Sequence, residues 1–385
     1  MLKHLVWILL PLSLQVTAQQ TFKVVDSHND ILTACLEKKV SLDADLSGKT
    51  MSDLNRFAKG DVVAQLFSVW CDGDEKHPLA LANREMDTLD AVIARNPGRI
   101  TLTRNYKEIQ QAIKAHKLAA MFGVEGGHMI EDNLDNLQKF YDRGVRYMTL
   151  TWNNSTSWAT SAFDETLKKD SLAKTHKGLT DFGKQVIQKM NDLGMLVDLS
   201  HVGEQTFWDA IHTSTKPIIV SHSNAYALCP VFRNLKDDQI KAVAANGGVI
   251  DLNFYSGFVD SGYAAKEKAF MENHKNELDS LIKAGVQQNY ALFVLADKYS
   301  SEVQAARPPL SMLMDHMDYI VKLAGVDHVG LGSDFDGINS SPQTLDDVTS
   351  YPLIAKAMQE RGYRKKDIAK IMGGNILRVL KANEK

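Results

Sequence analysis

Seven residues able to hold or serve a metal ion stand where strand-like runs of this chain give out. His28 and Asp30 follow KVVDS, Glu125 follows AAMFGV, His201 follows MLVDLS and His222 follows PIIVS. Asp334 and Asp336 follow HVGLGS. Imidazoles mixed with carboxylates are the donors that borderline-soft divalent cations take, and such cations activate water for hydrolysis. One such residue at a strand end is common. The same placement on five strands describes a site assembled on one rim of a parallel barrel.

Each motif is weak alone. His28-Asn29-Asp30 puts two donors two residues apart on one strand, on the same side; it also reads as a turn with Asp30 capping the next helix. Glu125 sits in GVEGGH, where Gly123, Gly126 and Gly127 let backbone approach closely. A glutamate there needs a partner, because an unpaired buried charge is costly, and a carboxylate bridging two cations satisfies both oxygens. His128 reads as a loop residue outside the site. His201 and His222 end consecutive strands and so can meet at one metal; either alone reads as a packed, hydrogen-bonded histidine. Asp334 in GSDFDG reads as a proton-shuttling carboxylate. Asp336 reads as structural, since Asp-x-Asp-Gly places its glycine too early for a calcium loop of the EF-hand type. Charge decides the metal number. Two Zn²⁺ bring four positive charges, against Asp30, Glu125 and a bridging hydroxide, with Asp334 nearby. Two ions therefore suit this donor set better than one.

The elements that must position these residues follow from hydrophobic patterning. Eight strand-like runs occur, at Lys23–Ser27, Val62–Trp70, Ala119–Val124, Arg146–Thr151, Met195–Ser200, Pro217–Ser221, Gly247–Asn253 and His328–Ser333. Most are continuously apolar, as strands buried on both faces are. Helical patterns lie between them at Asn133–Tyr141, Leu179–Leu193, Glu204–His212 and Lys236–Ala245. Gly144, Gly194 and Gly247 follow where a left-handed cap is wanted. The alternation predicts an α/β fold of the (β/α)8 TIM-barrel type. About 75 residues separate the last two runs, far more than an ordinary crossover. That stretch is expected to hold one extra helix near Tyr263–Ala284 besides the barrel helix Leu310–Ala324. Asp346–Glu360 and Lys365–Lys381 read as C-terminal helices closing the barrel.

The chain has 385 residues, 44% hydrophobic and 24% charged, with a formal net charge of -3. That balance gives no reason to expect nucleic acid or an anionic membrane surface as partner. Residues 1–18 read as a cleaved secretory signal: Lys3, then the apolar run LVWILLPLSL, then small residues at Val16-Thr17-Ala18. Residues 19–385 then form one hydrolase domain, exported to a periplasm or secreted, with no stable membrane span. The cysteines are Cys35, Cys71 and Cys229. An odd count without Cys-x-x-Cys argues against thiolate zinc and leaves the fold to a large core.

The stretches DSHNDIL, GVEGGH, RYMTLTWN, VDLSHVG, SHSNAYALCPVFRN, DHMDYIVKLAGVDHVGLGSDFDG and MGGNILRVL, in this order, resemble the membrane (renal-type) dipeptidase family of the amidohydrolase superfamily. They cover almost all of the chain beyond the leader. The resemblance implies a barrel holding two zinc ions, one on His28 and Asp30, the other on His201 and His222, with Glu125 bridging. It makes Asp334 the group that handles the proton of the attacking water. Arg233 becomes the clamp for the substrate's terminal carboxylate, a task its planar fork suits, and Tyr255 a substrate contact. One position departs from the family, which commonly has a histidine after TLT. Here Trp152 stands there, able to donate one hydrogen bond but not to carry charge; Asn153 or Asn154 are the other donors at hand.

The expectation is therefore a zinc-dependent metallo-dipeptidase, possible as a homodimer, that attacks dipeptides with a metal-bridging hydroxide and tolerates a D-residue at the C-terminal position. Deacylation of N-acyl amino acids is the first rival, since Arg233 could hold their carboxylate too. An inactive metal-binding homologue, with Trp152 as its sign, is the second.

Overall fold

The apolar runs become short parallel strands largely buried on both faces, and a half-buried β3 joins them: β1 Val24–Asn29, β2 Val62–Trp70, β3 Ile100–Leu102, β4 Leu118–Glu125, β5 Val145–Thr149, β6 Leu196–Asp198, β7 Ile219–Ser223, β8 Val249–Leu252 and β9 Val329–Leu331. The computed structural model describes residues 22–167, 177–286 and 288–385. The leader read at residues 1–18 lies outside the described residues. Pairing runs β2-β1-β9-β8-β7-β6-β5-β4-β3, and an added β2–β4 pairing closes eight of these strands into a barrel. β3 is the exception. Its three residues pair only with the start of β4, whose later residues pair with β5. Three residues are too few to show a period, so the sequence pattern did not reveal it.

Val25, Leu66, Met121, Tyr147, Leu196, Ile219 and Val249 pack together as one cluster that fills the lower barrel. Ile376, Val379 and Leu380, on the terminal helix Asn375–Asn383, join it. The opposite strand faces, including Phe122, Met148, Val197, Val220, Ile250 and Leu331, pack beneath the surrounding helices in the main core. Burial of this kind contributes roughly 25 cal/mol per Å² of apolar surface, which is how the chain dispenses with disulfides. Cys35, Cys71 and Cys229 are all free and buried.

The connecting helices stand where the pattern put them, at Leu134–Arg143, Asp181–Leu193, Glu204–Thr213 and Asp237–Ala245. Gly144, Gly194 and Gly247 close three of these segments with φ of 112°, 82° and 81°. The insertion after β8 differs from expectation. The region read as one helix is two, Tyr263–Asn273 and Lys275–Lys283, broken at His274. Two more follow, Gln288–Lys298 and Ser300–Ala306, before the barrel helix Leu310–Ala324. Leu278, Ala291 and Leu295 give the insertion a small core of its own. The run QNYALFVLADK has no one-sided apolar stripe, so period alone could not mark it as helix. No helix among the described residues is long and apolar enough to cross a membrane.

Close approach across the barrel fixes Gly332, just beyond β9. A Cβ there would lie 1.7 Å from the Ser221 carbonyl oxygen and 2.8 Å from Ser27 Oγ. Backbone, not a movable side chain, is the obstacle. Gly332→Ala is therefore expected to destabilise the barrel by about 3 kcal/mol or more, read as a lowered urea midpoint; an unchanged midpoint would contradict this packing.

Candidate metal centre and its cleft

The strand ends are laced before they carry any chemistry. Asp26 accepts hydrogen bonds from Ser333 N (2.9 Å), Ser333 Oγ (2.8 Å) and Tyr351 OH (2.7 Å), tying β1 to β9. The Asp334 amide donates to His28 O at 3.1 Å, and the Asp30 amide to Phe335 O at 2.9 Å. The register of β1 against β2 shifts between Asp26 and Asn29, the stretch that contains His28. His201 and Asp334 both adopt the left-handed backbone region, φ 63° and 62°. Non-glycine residues there cost on the order of 1–3 kcal/mol each and persist where surrounding structure holds them.

Six side chains from five strand ends then converge. Glu125 Oε2 lies 3.3 Å from His28 Nε2, while Oε1 lies 2.9 Å from His201 Nε2 and 3.5 Å from His222 Nε2. The two oxygens of one carboxylate thus face two different ligand groups, as a bridge between two cations requires. Asp30 Oδ2 is 3.4 Å and Asp334 Oδ1 4.0 Å from His28 Nε2. Two ligand groups result: His28 with Glu125 and His222, and His28 with Asp30 and Asp334. Asp334, read as a proton carrier, also stands within reach of a cation held by His28 and Asp30. Asp30 is the residue before the helix Ile31–Lys38, yet its side chain makes no cap hydrogen bond, which removes the capping alternative.

The outer hydrogen bonds fix which nitrogen of His222 and of His201 is bare. His222 Nδ1 is 2.8 Å from Ser221 Oγ, which itself donates to Asp198 Oδ2 at 2.6 Å. Ser221 must then accept from His222 Nδ1–H, leaving a lone pair on Nε2. His201 Nδ1 faces Asn153 Oδ1 at 3.1 Å, with the same consequence. These two Nε2 atoms stand 2.9 Å apart. Two lone pairs at that distance repel unless a cation lies against both. His28 Nε2 and Asp30 Oδ2 are buried and have no hydrogen-bond partner. Orphaned donor and acceptor atoms of this kind are costly, and divalent cations would satisfy them, so these residues fit the metal pair that the donor chemistry implies. His28 Nδ1 lies 2.8 Å from the Tyr147 hydroxyl, and the ring of Tyr147 crosses the space that a Cβ on Gly123 would fill.

The electrostatics ask for positive charge at the same place. Burial disfavours an ionised Glu125, yet His28, His201 and His222 hold its carboxyl well below the usual range. Burial also opposes a charge on His28, but Tyr147, Glu125 and Asp30 lift its proton affinity well above that of a free imidazole. Burial and the nearby Arg233 push His201 down to about 4, and burial with His28 pushes His222 well below its usual value. Both rings are therefore neutral, as ligands must be. Burial first, and Asp30 second, raise Asp334 well above an ordinary aspartate; Asn253 Nδ2 steadies its Oδ2 at 2.8 Å.

The cluster opens into a cleft of about 770 Å³. Arg233 lines it, 5% exposed, with one amino group donating to His222 O at 3.0 Å and its Nε without a partner. Burial lowers the guanidinium to about 10, and Phe258 lies 5.3 Å beneath it. No carboxylate forms an ion pair with it among the described residues. Trp152 also lines the cleft, edge-on to Trp70 at 5.0 Å and 6.4 Å from the His201 ring. Tyr255 lines the wall, but its hydroxyl already donates to Glu267. His128 lies outside the cluster, 3.3 Å from Cys71 Sγ, and Asp336 holds the Met51 amide at 2.6 Å, in keeping with the structural role expected. Sequence reading missed Tyr147, Ser221, Asp198 and Asn253. Asp198 alone was signalled, as a carboxylate inside the apolar run MLVDLS.

The family model described as Membrane dipeptidase (Peptidase family M19) matches residues 15–385. An uncharacterised dipeptidase of Schizosaccharomyces pombe is 34% identical over 396 residues, covering 95% of this chain and 83% of that protein. Among solved structures, dipeptidase AC, an M19 metallo peptidase, superposes with a TM-score of 0.76 at 24% identity, over 94% of this chain and 99% of that one. A metallo peptidase from Rhodobacter sphaeroides, liganded with a phosphinate mimic of L-Ala-D-Ala, gives 0.75 at 23% identity, over 94% and 100%.

The Asp198–Ser221–His222 chain orients a ligand through two hydrogen bonds. Asp198→Asn is expected to weaken divalent-metal affinity about 10–100-fold, measured by competition with a chromophoric chelator. Unchanged affinity would show that the chain does not set the His222 ring.

Proposed function

This chain belongs to the membrane dipeptidase family, peptidase family M19, and on that premise we propose that it is a zinc-dependent hydrolase of dipeptides that accepts a D-residue at the C-terminal position. One juxtaposition carries the reading. The metal-ligating cluster and a buried arginine without a carboxylate partner share one cleft. A dipeptide with its peptide bond at the cluster would present its terminal carboxylate to Arg233 in the same cleft.

Divalent cations held here would supply Lewis acidity and make water a nucleophile near neutral pH. The protein's own groups do the rest. The two oxygens of Glu125 hold the two ligand groups in register. Asp334, with its raised proton affinity and its Asn253 contact, can take a proton and return it to the departing amine. Arg233 binds the terminal carboxylate through its planar fork, and Phe258 beneath it keeps that face dry. The Trp152 indole, packed on Trp70, offers a hydrogen-bond donor beside His201 in place of a charged ring. Acceptance of a D-residue is supported by the R. sphaeroides metallo peptidase and its L-Ala-D-Ala mimic.

The test is a panel on zinc-loaded protein: L-Ala-L-Ala, L-Ala-D-Ala and N-acetyl-alanine. Turnover of both dipeptides and not of the acyl amino acid is expected. The reverse pattern points to deacylation, and zinc bound without any turnover points to an inactive homologue; either result overturns the reading. Arg233→Met should lower kcat/KM by about a hundredfold or more, because a buried charge-assisted contact is lost. Its effect on kcat should be smaller. Glu125→Gln should lose about a hundredfold or more in turnover together with part of the metal content measured by elemental analysis; full activity would sink the bridging role.

A further inference from the structure

Glu267 stands on the insertion helix Tyr263–Asn273, away from the metal ligands, and lines the same cleft. Its carboxylate is held from two sides. The Tyr255 hydroxyl donates to its oxygens at 2.8 and 2.9 Å, and Asn339 Nδ2 donates at 3.0 Å. No cation pairs with it among the described residues. The lysines on either side are engaged elsewhere: Lys266 with Asp260 at 2.9 Å and the Ala306 carbonyl, Lys268 with Glu272 at 3.8 Å. Asn339 Oδ1, the other end of the amide that holds Glu267, is buried without a partner. A fixed anion and an idle acceptor therefore meet at one point. What satisfies both is a group with positive charge and several N–H donors.

The placement says which part of a substrate reaches it. Tyr255 begins beside the catalytic end of the cleft, where its amide donates to Asn253 Oδ1 and Asn253 in turn holds Asp334. Its phenol then extends away to Glu267. The carboxylate is thus set back from the metal cluster by a side chain's length. A groove of about 260 Å³ opens on the far side, and Glu267, Leu292 and Asn339 line both spaces. Tyr263, Phe270 and Ala296 make that groove largely apolar. Such walls suit the methylene stem of a long cationic side chain, which buries its stem while keeping its head on a polar partner.

We propose that Glu267, with Asn339, forms a subsite for the ammonium or guanidinium head of a basic residue in the substrate, so that the preferred substrates are dipeptides containing lysine or arginine. The proposal rests on the dipeptidase reading and specifies its substrate class. Glu267 is a binding residue in it, with no part in bond cleavage.

Lysine against norleucine isolates the charge at nearly constant shape. Zinc-loaded protein is assayed with Lys-Ala and norleucyl-Ala, and with Ala-Lys and Ala-norleucine. At one of the two positions, kcat/KM is expected to favour lysine by about tenfold, as one partly buried ion pair allows. In Glu267→Gln, which preserves the Tyr255 and Asn339 hydrogen bonds, that ratio should collapse toward one. The melting temperature of the variant checks that it folds, and the wild-type ratio stands whatever the variant does. A ratio near one at both positions in the wild-type protein overturns the subsite. Equal losses for lysine and norleucine substrates in the variant overturn it as well, and assign Glu267 to the substrate's α-ammonium or to holding Tyr255. If the norleucine dipeptides are not cleaved at all, and neither is Ala-Ala, it is the dipeptidase reading that fails.

Discussion

One buried carboxylate facing three imidazoles governs this structure. Glu125 has lost its water, yet its oxygens stand 2.9–3.5 Å from the ring nitrogens of His28, His201 and His222. A buried carboxylate beside the bare Nε2 lone pairs of His201 and His222 is unstable in a low-dielectric interior. The arrangement makes physical sense around shared positive charge. The two Glu125 oxygens face different imidazoles, so the surrounding groups approach from opposite sides, and a closed ring of strands brings five chain segments to one point with their ends aligned.

The layers beneath serve that point. Asp26 ties β1 to β9, and Asp198 ties the His201 and His222 strands through Ser200, Ser221 and Thr149. These buried carboxylates accept hydrogen bonds from backbone and hydroxyl groups, so their cost is offset locally while they fix the strand ends. Asp251, inside β8, is different. Both of its oxygens are buried without a hydrogen-bond partner, and burial raises its carboxyl well above the usual range. Above the ligands, the cleft wall is built from loops and from an insertion with its own small core. Division of labour follows: the barrel holds the chemistry rigidly, and the attached helices shape what can enter.

Trp152 shows how far a local departure reaches. It stands against Trp70 and near His201, on the wall rather than among the ligands. Replacing an ionisable ring by an indole there leaves the metal donors intact while making that wall more apolar. Asn153, its neighbour, is committed to His201 Nδ1.

Much of this was legible in the linear chain. Most of the eight barrel strands were marked by near-continuous apolar runs, since a strand buried on both faces cannot hide its composition. The candidate ligands were marked by charge and imidazole at the ends of those runs, where nothing apolar can explain them. What the chain could not disclose were partners separated by long stretches of sequence: Tyr147 on His28, Asn253 on Asp334, Glu267 on Tyr255. Periodicity reports which face of an element is buried, never what lies against it. β3 and the helix Gln288–Lys298 were hidden for a simpler reason: three residues, or a helix whose apolar residues keep to no one face, carry no phase. Sequence by itself therefore determined the barrel and named the imidazoles and carboxylates that meet at its candidate metal centre. Tertiary structure decided which nitrogen of His201 and of His222 is bare, that Glu125 faces both ligand groups, and that the insertion brings a carboxylate to the cleft, because each of these depends on distances that only closure of the barrel sets.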